Sequence, residues 1–447
     1  MTTTSEFLAT RENQTLTARK EQLSLNFLGV ENFKAYLKKR LTIFPNETKL
    51  DFNGGVRFDG QRVEGRVQYT PLINYLNTIV TETNNFTFFN DPERVGGDPA
   101  IINNINGNHD SVDVIMREVN SNLTIAGWGW IKVDMPANAT QSLTLAQKDE
   151  LGIRPFWTSL SPFKVVDWDL SRNDVNWVLE EDYIYDNSNP LQPTNKIKVR
   201  RLWEKGKVTI IKFQISKDKR KKTRYDVQTI NTGFNQVPFV LIGTPSVKSH
   251  NFDIFESINK NILDLESSNK QIFLDVAFPQ QFISENTLNR LYQEQLSKFT
   301  LNSSMAFNNG SADIPTFDEG AATEAAFKMA TGTKRPMVLA EGESPHVAQM
   351  PTGLSQVRDE ITIVTKNLME QSGILLSARE SNLNVSGLSK AYDLISIQSL
   401  VNERSRLLEN GENQAVEISN AMDPDFTPWT VDYNSDIAPV VATSENI

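Results

Sequence analysis

Two helical periodicities bracketing a loop-rich insert constrain this chain more than any other feature. Ile254, Phe255, Ile258, Ile262, Leu265, Ile272 and Phe273 mark one face of a helix over Phe252–Asp275. At ~1.5 Å per residue such a helix is roughly 36 Å long. Leu354, Val357, Ile361, Val364 and Leu368 recur at spacings of 3, 4, 3 and 4. That seam suits packing against neighbouring helices. Residues 276–352 between them are mixed, with an Asn/Ser/Gly/Thr/Pro-rich stretch over 302–336. Gly373 and the polar run Ser377–Gly387 end the second helix. A third long helix is expected from Leu388 to Met422, closed by Asp423-Pro424-Asp425, and no internal repeat is present.

The first quarter reads as helical. Leu23, Leu25, Phe27, Leu28, Phe33, Tyr36, Leu37 and Leu41 give residues 18–41 an amphipathic pattern that ends before Pro45. A second helix is expected after Pro71 through Leu76, Ile79 and Val80, and a third from Ile101 to Val119. From Leu123 to Val133 the pattern alternates like a strand and stops at Pro136. Short strands follow at Val175–Leu179, Lys196–Trp203, Lys207–Ile215 and Thr223–Ile230, with Lys205-Gly206 as a hairpin turn. These predict an antiparallel, partly exposed sheet closed by Val237–Pro245. The expected class is therefore α+β, and 447 residues suffice for two to four packed units.

Composition excludes much chemistry. The chain has no cysteine, which removes disulfides, thiolate metal sites and cysteine nucleophiles. Its three histidines, His109, His250 and His346, leave little for a polyhistidine metal centre. The start, Met1-Thr2-Thr3-Thr4-Ser5-Glu6, lacks the charged and apolar regions of a secretory signal. Apolar runs such as Phe239–Ile242 fall short of the ~20 residues that span a bilayer. The expectation is a soluble protein that folds in a cytoplasm.

Short motifs lack their partners. Gly107-Asn108-His109-Asp110 also occurs in calcineurin-like metallophosphoesterases, whose two-metal site needs an upstream Asp-x-His and a downstream histidine pair. Neither is present, so a polar loop or helix surface is expected. Gly206-Lys207-Val208 lacks the rest of a Walker A loop, and Gly127-Trp128-Gly129 lacks the third glycine of a dinucleotide site. The carboxylate pairs Asp167/Asp169 and Asp318/Glu319 would have to flank a sugar cleft to act as a glycosidase. A turn between strands is the plainer expectation for Asp167-Trp168-Asp169.

Charge is distributed unevenly. Thirteen Lys and Arg face two acids between Lys196 and Arg224, a local +11, so the remainder carries −21 of the net −10. The densest part holds Lys217, Lys219, Arg220, Lys221, Lys222 and Arg224. Contact with nucleic acid or an acidic protein, a solvated hairpin with lysine-protected edges, and pairing with an acidic neighbouring copy all fit such a block.

The order of segments resembles the portal proteins of tailed bacteriophages over about residues 110–425. Gly127-Trp128-Gly129-Trp130-Ile131-Lys132-Val133-Asp134-Met135-Pro136, then Arg154-Pro155-Phe156-Trp157 and Ser161–Trp168, look like wing-domain strands of one portal subfamily. Val237–Pro245 leading into Asp253–Asp264 is similar to the segment entering the portal stem. Gln349-Met350-Pro351-Thr352-Gly353 before the seam helix, and Met369–Leu376 with its polar loop and long final helix, complete the likeness.

The resemblance implies a β-rich wing with helices over 1–251 and stem helices at 252–275 and 353–376. It implies a mixed α/β clip at 276–352 and a tunnel loop at 377–388. Residues 389–447 would form a wing helix and a short tail with at most a reduced crown. Ser377, Arg379, Glu380, Asn382, Asn384 and Ser386 would face DNA in the tunnel loop, and Leu354, Val357, Ile361, Val364 and Leu368 would pack the stem. The basic block would make a contact of its own. Portals are closed rings of ~12 copies around a DNA channel at one capsid vertex. The implied partners are further copies of the chain, major capsid protein, the terminase large subunit, a head–tail adaptor and double-stranded DNA, with no cofactor, metal, catalytic residue or membrane. The implied location is the virion, and the host cytoplasm during assembly. An acidic stem helix, in which Asp253, Glu256, Asp264, Glu266 and Asp275 outnumber Lys260 and Lys270, suits a wall that DNA slides past. The rival readings are another phage connector or baseplate component and a carboxylate-based hydrolase.

Overall fold

The computed structural model describes residues 8, 10–44, 47–56, 62–136, 147–148, 152–171, 174–186, 195–214, 224–277, 282–284, 286, 289–290, 293, 297, 337–339, 354–373 and 387–433. The chain is α+β, with sheets that are antiparallel except for one short pair. It divides into two compact units. The first comprises residues 1–40, 72–261 and 365–447, and the second residues 41–71 and 262–364. Residues 41–71, assigned to the wing from sequence, thus group with the insert between the long helices.

Helices α1 (Gln14–Glu31) and α2 (Phe33–Arg40) open the first unit. The single helix expected over 18–41 breaks at Asn32, whose side chain accepts the Ala35 N–H at 3.2 Å and so caps the second helix. In the second unit, short helices α3 (Lys49–Asn53) and α4 (Arg66–Tyr69) flank the paired strands β1 (Gly55–Val56) and β2 (Arg62–Val63). Helix α5 (Tyr75–Thr87) returns to the first unit. It begins four residues beyond Pro71, because Asn74 supplies the cap, accepting the Asn77 N–H at 3.1 Å.

Strand β3 (Glu93–Gly96) precedes a one-turn helix α6 (Pro99–Ile102) and helix α7 (Val112–Ala126). The helix expected over 101–119 is therefore split by an asparagine-rich loop. The strand pattern read from Leu123 is also corrected. Leu123–Ala126 complete α7, and Gly127, at φ +90°, ends the helix in a left-handed conformation that suits glycine. Strand β4 (Trp128–Asp134) starts only then.

Strands β5 (Phe156–Leu160), β6 (Val165–Ser171), β7 (Asp174–Asp186), β8 (Asn195–Glu204), β9 (Lys207–Gln214), β10 (Arg224–Asn231) and β11 (Phe239–Gly243) form two sheets, not one. Five strands run in the order β10-β9-β8-β7-β6, joined by successive hairpins, and Gly206 at φ +80° turns β8 into β9. Three run β11-β4-β5, so the 237–245 segment pairs with β4 instead of closing the larger sheet. Asp167-Trp168-Asp169 lies inside β6, beside irregularities in its register with β7, and is not a turn.

Long helix α8 (Asn251–Ala277) leaves the first unit, and β12 (Phe282–Ser284) pairs in parallel with β13 (Met337–Leu339) in the second. Helix α9 (Leu354–Gln371) leads back, stopping at Gly373, with φ +73°. Helix α10 (Gly387–Met422) and strand β14 (Trp429–Asp432), paired with β3, finish the described chain. No described helix is long and apolar enough to cross a membrane.

Why β4 is buried along nearly its whole length follows from its alternation. Ile131 and Val133 join Ile115, Met116 and Val119 of α7 and Leu408, Ala415 and Val416 of α10 in the main core. Trp128 and Trp130 point the other way, onto Trp168 of β6 at ring distances of 6.4 and 5.7 Å. The small sheet is thus a middle layer between helices and the larger sheet.

Candidate functional site

Long helices gain their orientation where they are rooted, and α8 is rooted by buried charge. Glu256 is fully buried on its first turns. It accepts from Arg40 at 2.7 and 2.8 Å, from the Tyr36 hydroxyl at 2.8 Å and from Gln22 at 3.0 Å. One turn earlier Asp253 accepts from Arg19 at 3.1 Å on both oxygens, and from Asn26 at 2.7 Å. Two carboxylates in a low-dielectric interior are tolerable because every lone pair finds a donor. Burial, then the Glu256 charge, pushes the Tyr36 hydroxyl above its usual range, so it stays a donor.

A second cluster anchors α10. Glu412, also fully buried, accepts from Arg94 at 2.6 and 3.1 Å, from Trp429 Nε1 at 2.8 Å and from the Tyr433 hydroxyl at 2.8 Å. Arg94 also pairs with Asp113 at 2.8 Å. Burial alone would lower the Arg94 pKa, but Glu412 and then Asp113 more than offset it, leaving it raised. Trp157 Nε1 donates to Ser419 of the same helix at 2.8 Å.

In the second unit Arg66 plays the central part. It donates to both oxygens of Glu47 at 2.8 Å, to Ser267 at 2.8 Å and to the Thr42 carbonyl, with its guanidinium 3.8 Å from the Phe44 ring centre. Asp264 accepts from the Thr42 N–H and hydroxyl at 2.8 and 2.7 Å. Asp253, Glu256 and Asp264 are therefore occupied within their own units. Arg19 and Arg40 neutralise Asp253 and Glu256, so those two acids add no free charge to the helix surface.

A cleft of about 590 Å³ opens where the two sheets of the first unit face each other. Phe156, Leu160, Trp203, Val208, Ile210 and Phe234 form its apolar part. Its charges are mutually paired: Lys132 with Glu180 at 3.3 Å and Asp134 at 2.9 Å, and Arg201 with Glu180 at 3.4 Å and Asp182 at 3.5 Å. Burial acts to raise Asp182, but the Tyr183 backbone N–H, Lys164 and Arg201 reverse this and hold the carboxyl below its usual range. A carboxylate so held offers a fixed charge, not a proton.

The residues expected from sequence to form sites scatter differently. Ser377, Arg379, Glu380, Asn382, Asn384 and Ser386 lie outside the described residues, as do Lys217, Lys219, Arg220, Lys221 and Lys222. Arg224 begins β10. Of the seam, Leu354 begins α9, Val357, Ile361 and Val364 are half-buried and Leu368 is fully buried. Asp167 is buried against Arg11, with Asn13 at 3.1 Å, whereas Asp169 is exposed and accepts from Asn176 at 2.8 Å. Asp318 and Glu319 are outside the described residues.

Gly107–Asp110 is a loop. Asn106 Oδ1 accepts the N–H groups of Asn108 and Asp110 at 2.8 and 3.1 Å, and Asn104 accepts that of His109 at 2.7 Å, holding it at φ +70°. Among the described residues no three His, Asp or Glu side chains gather as a metal site.

Sequence reasoning missed the root clusters because it followed apolar residues around α8. The buried face is Phe252, Glu256, Asn259, Leu263 and Ser267, spaced 4, 3, 4 and 4, while Ile254 and Phe273 are about half exposed. Polar residues at helical spacing beside apolar ones were the available signal. Against known proteins, no family model matches the chain and no curated sequence matches it.

Proposed function

We propose that this chain is the portal subunit of a tailed bacteriophage, one of ~12 copies in a closed ring at a capsid vertex. One observation carries the reading. The β-rich first unit gives rise to a 27-residue helix, α8, and receives an 18-residue helix, α9, with the intervening residues in a second compact unit. The 36-residue α10 then packs in the first unit's core. In the proposed ring the first unit is the wing, α8 and α9 form the stem, and the insert is the clip. The residues between α9 and α10 would be the tunnel loop.

Such a subunit makes and breaks no bonds. It conducts double-stranded DNA during packaging and ejection, and docks the terminase large subunit, the head–tail adaptor and the major capsid protein. Its place is the virion, reached from the host cytoplasm.

The test is the mass of the purified full chain, by light scattering and particle images, at several salt concentrations. Rings of several hundred kilodaltons are expected. Only 50.4 kDa monomers under all conditions overturn the proposal.

A further inference from the structure

Beside the root of α8 lies a smaller pocket of about 250 Å³, entirely within the first unit. Its walls come from α1, the α7–β4 turn, the 243–250 segment and α10. Arg404 of α10 lines it. Its side chain is partly exposed and makes no hydrogen bond or ion pair among the described residues. Burial lowers its pKa to about 10, the adjacent Glu403 opposing this, so it remains a cation at neutral pH.

Arg19 lines the same pocket and is only 5% exposed. Its terminal nitrogens serve Asp253 and the Ala126 carbonyl, yet its Nε–H is buried without a protein acceptor. Two cationic groups thus keep unused donors at one place. The Arg404 donors are the accessible ones, and a charged oxyanion is the group whose geometry and charge match a guanidinium.

Neighbouring groups are donors too. His250 takes the Phe252 N–H on Nδ1 at 3.3 Å, so the neutral ring carries its proton on Nε2. Burial, then Arg404 and Arg19, lowers the His250 pKa to about 4, with Asp253 opposing. Lys248 and Ser249 are exposed at the mouth, and the N-terminus of α8 lies immediately beyond His250. Glu403, also lining the pocket, is exposed.

The geometry points to an oxyanion site in which Arg404, with His250 and Lys248 lining the same pocket, takes one tetrahedral phosphate group. Donors from several directions suit a tetrahedral group better than a planar carboxylate, which a single guanidinium fork would satisfy. The phosphate belongs to the free ion or to a nucleic-acid backbone. The site rests on the first unit alone and stands whether or not the chain forms a ring.

The probe is inorganic phosphate, titrated by calorimetry at constant ionic strength against chloride, with thermal melting in parallel. Wild type is expected to bind phosphate and to melt higher in it than in chloride. Arg404→Met should lose that gain and bind roughly tenfold or more weakly. In chloride it should melt no lower than wild type, because methionine keeps the stem without an unpaired charge. Lys248→Gln, at an exposed position, should fold normally and bind phosphate measurably more weakly, and it decides the matter if the first variant does not fold. A short DNA duplex added as competitor separates the sources: displacement of phosphate assigns a backbone phosphate, and no displacement assigns the free ion. Equal effects of phosphate and chloride on wild type, or phosphate affinity unchanged in the variants, overturn the site.

Discussion

Single residues here do more to hold the long helices than apolar area alone would. Glu256 and Glu412 are both fully buried, and each is ringed by an arginine, an aromatic donor and at least one further donor. Removing one partner from such a cluster strands a charge, which typically costs ~3–5 kcal/mol. His250 adds a pH dependence. Its pKa falls from the ordinary 6.5 to about 4 because it is buried and faces Arg404 of α10 and Arg19 of α1, with Asp253 of α8 opposing. Lys248 and Glu403 stand near it. In the folded state the ring stays neutral down to about pH 4, while the unfolded chain takes the proton from about pH 6.5 downward. Its contribution is therefore complete above pH 6.5 and declines as pH falls to 4, by about 3 kcal/mol in all. His250→Asn keeps an acceptor for the Phe252 N–H but does not titrate. Urea unfolding from pH 7 to 4 should show the variant losing less stability than wild type, and parallel curves would refute this account. None of these roles was legible in sequence, since a lone histidine and a glutamate among apolar residues carry no local signature of what faces them.

At the scale of elements the legible part was the part governed by local pattern. The three strands read at 196–230 match β8 to β10 closely, because alternation and Gly206 are local signals, whereas Val175–Leu179 covers only the start of the 13-residue β7. The lengths of α8, α9 and α10 were legible for the same reason. What failed was decided by neighbours. Leu123–Ala126 alternate like a strand yet finish α7, because Leu123 packs in the helix-facing core and Gly127 can adopt the left-handed turn. The partner of β11 is a tertiary choice that no periodicity announces. Close approach between elements is equally hidden. Gly411 lies in α10 directly over Ile242 of β11, where an added methyl would sit 2.2 Å from Cδ1 and 2.5 Å from Cγ1. In an unconstrained helix Gly→Ala gains about 1 kcal/mol. Here the overlap should win, and Gly411→Ala should destabilise by ~1–3 kcal/mol. Ile242→Val removes the nearer atom, so the double variant should recover part of the loss relative to the sum of the single changes. Denaturant midpoints of the four proteins measure this, and a stabilised Gly411→Ala would show that α10 and β11 are less closely packed.

For the whole molecule the decisive quantity is how charge is divided. A net −10 hides a +11 block over 196–224 and −21 elsewhere. Within the first unit much of the acid is internally neutralised, as Asp253, Glu256 and Glu412 show, and β8 spends Lys198, Arg200 and Arg201 on Glu180, Glu181 and Asp182 of β7. The basic residues from Lys217 to Arg224 follow β9 and lead into β10, the edge strand of the larger sheet. In the ring proposed above, a cationic block on one subunit would meet whatever its neighbour offers, and the chain as a whole offers acid. Assembly, more than DNA movement, should therefore depend on this block. Replacing Lys219, Arg220, Lys221 and Lys222 by glutamine takes the net charge from −10 to −14 and makes each copy more repulsive to the next. The quadruple variant should form fewer rings than wild type at equal concentration. Raised salt should weaken wild-type assembly as well, since the screening length falls to about 3 Å at 1 M. Rings or particles that do form should package DNA at the wild-type rate. Normal ring yield with slowed packaging would instead place the block on the DNA path, because a phosphate contact changes movement through a channel without changing how the channel is built.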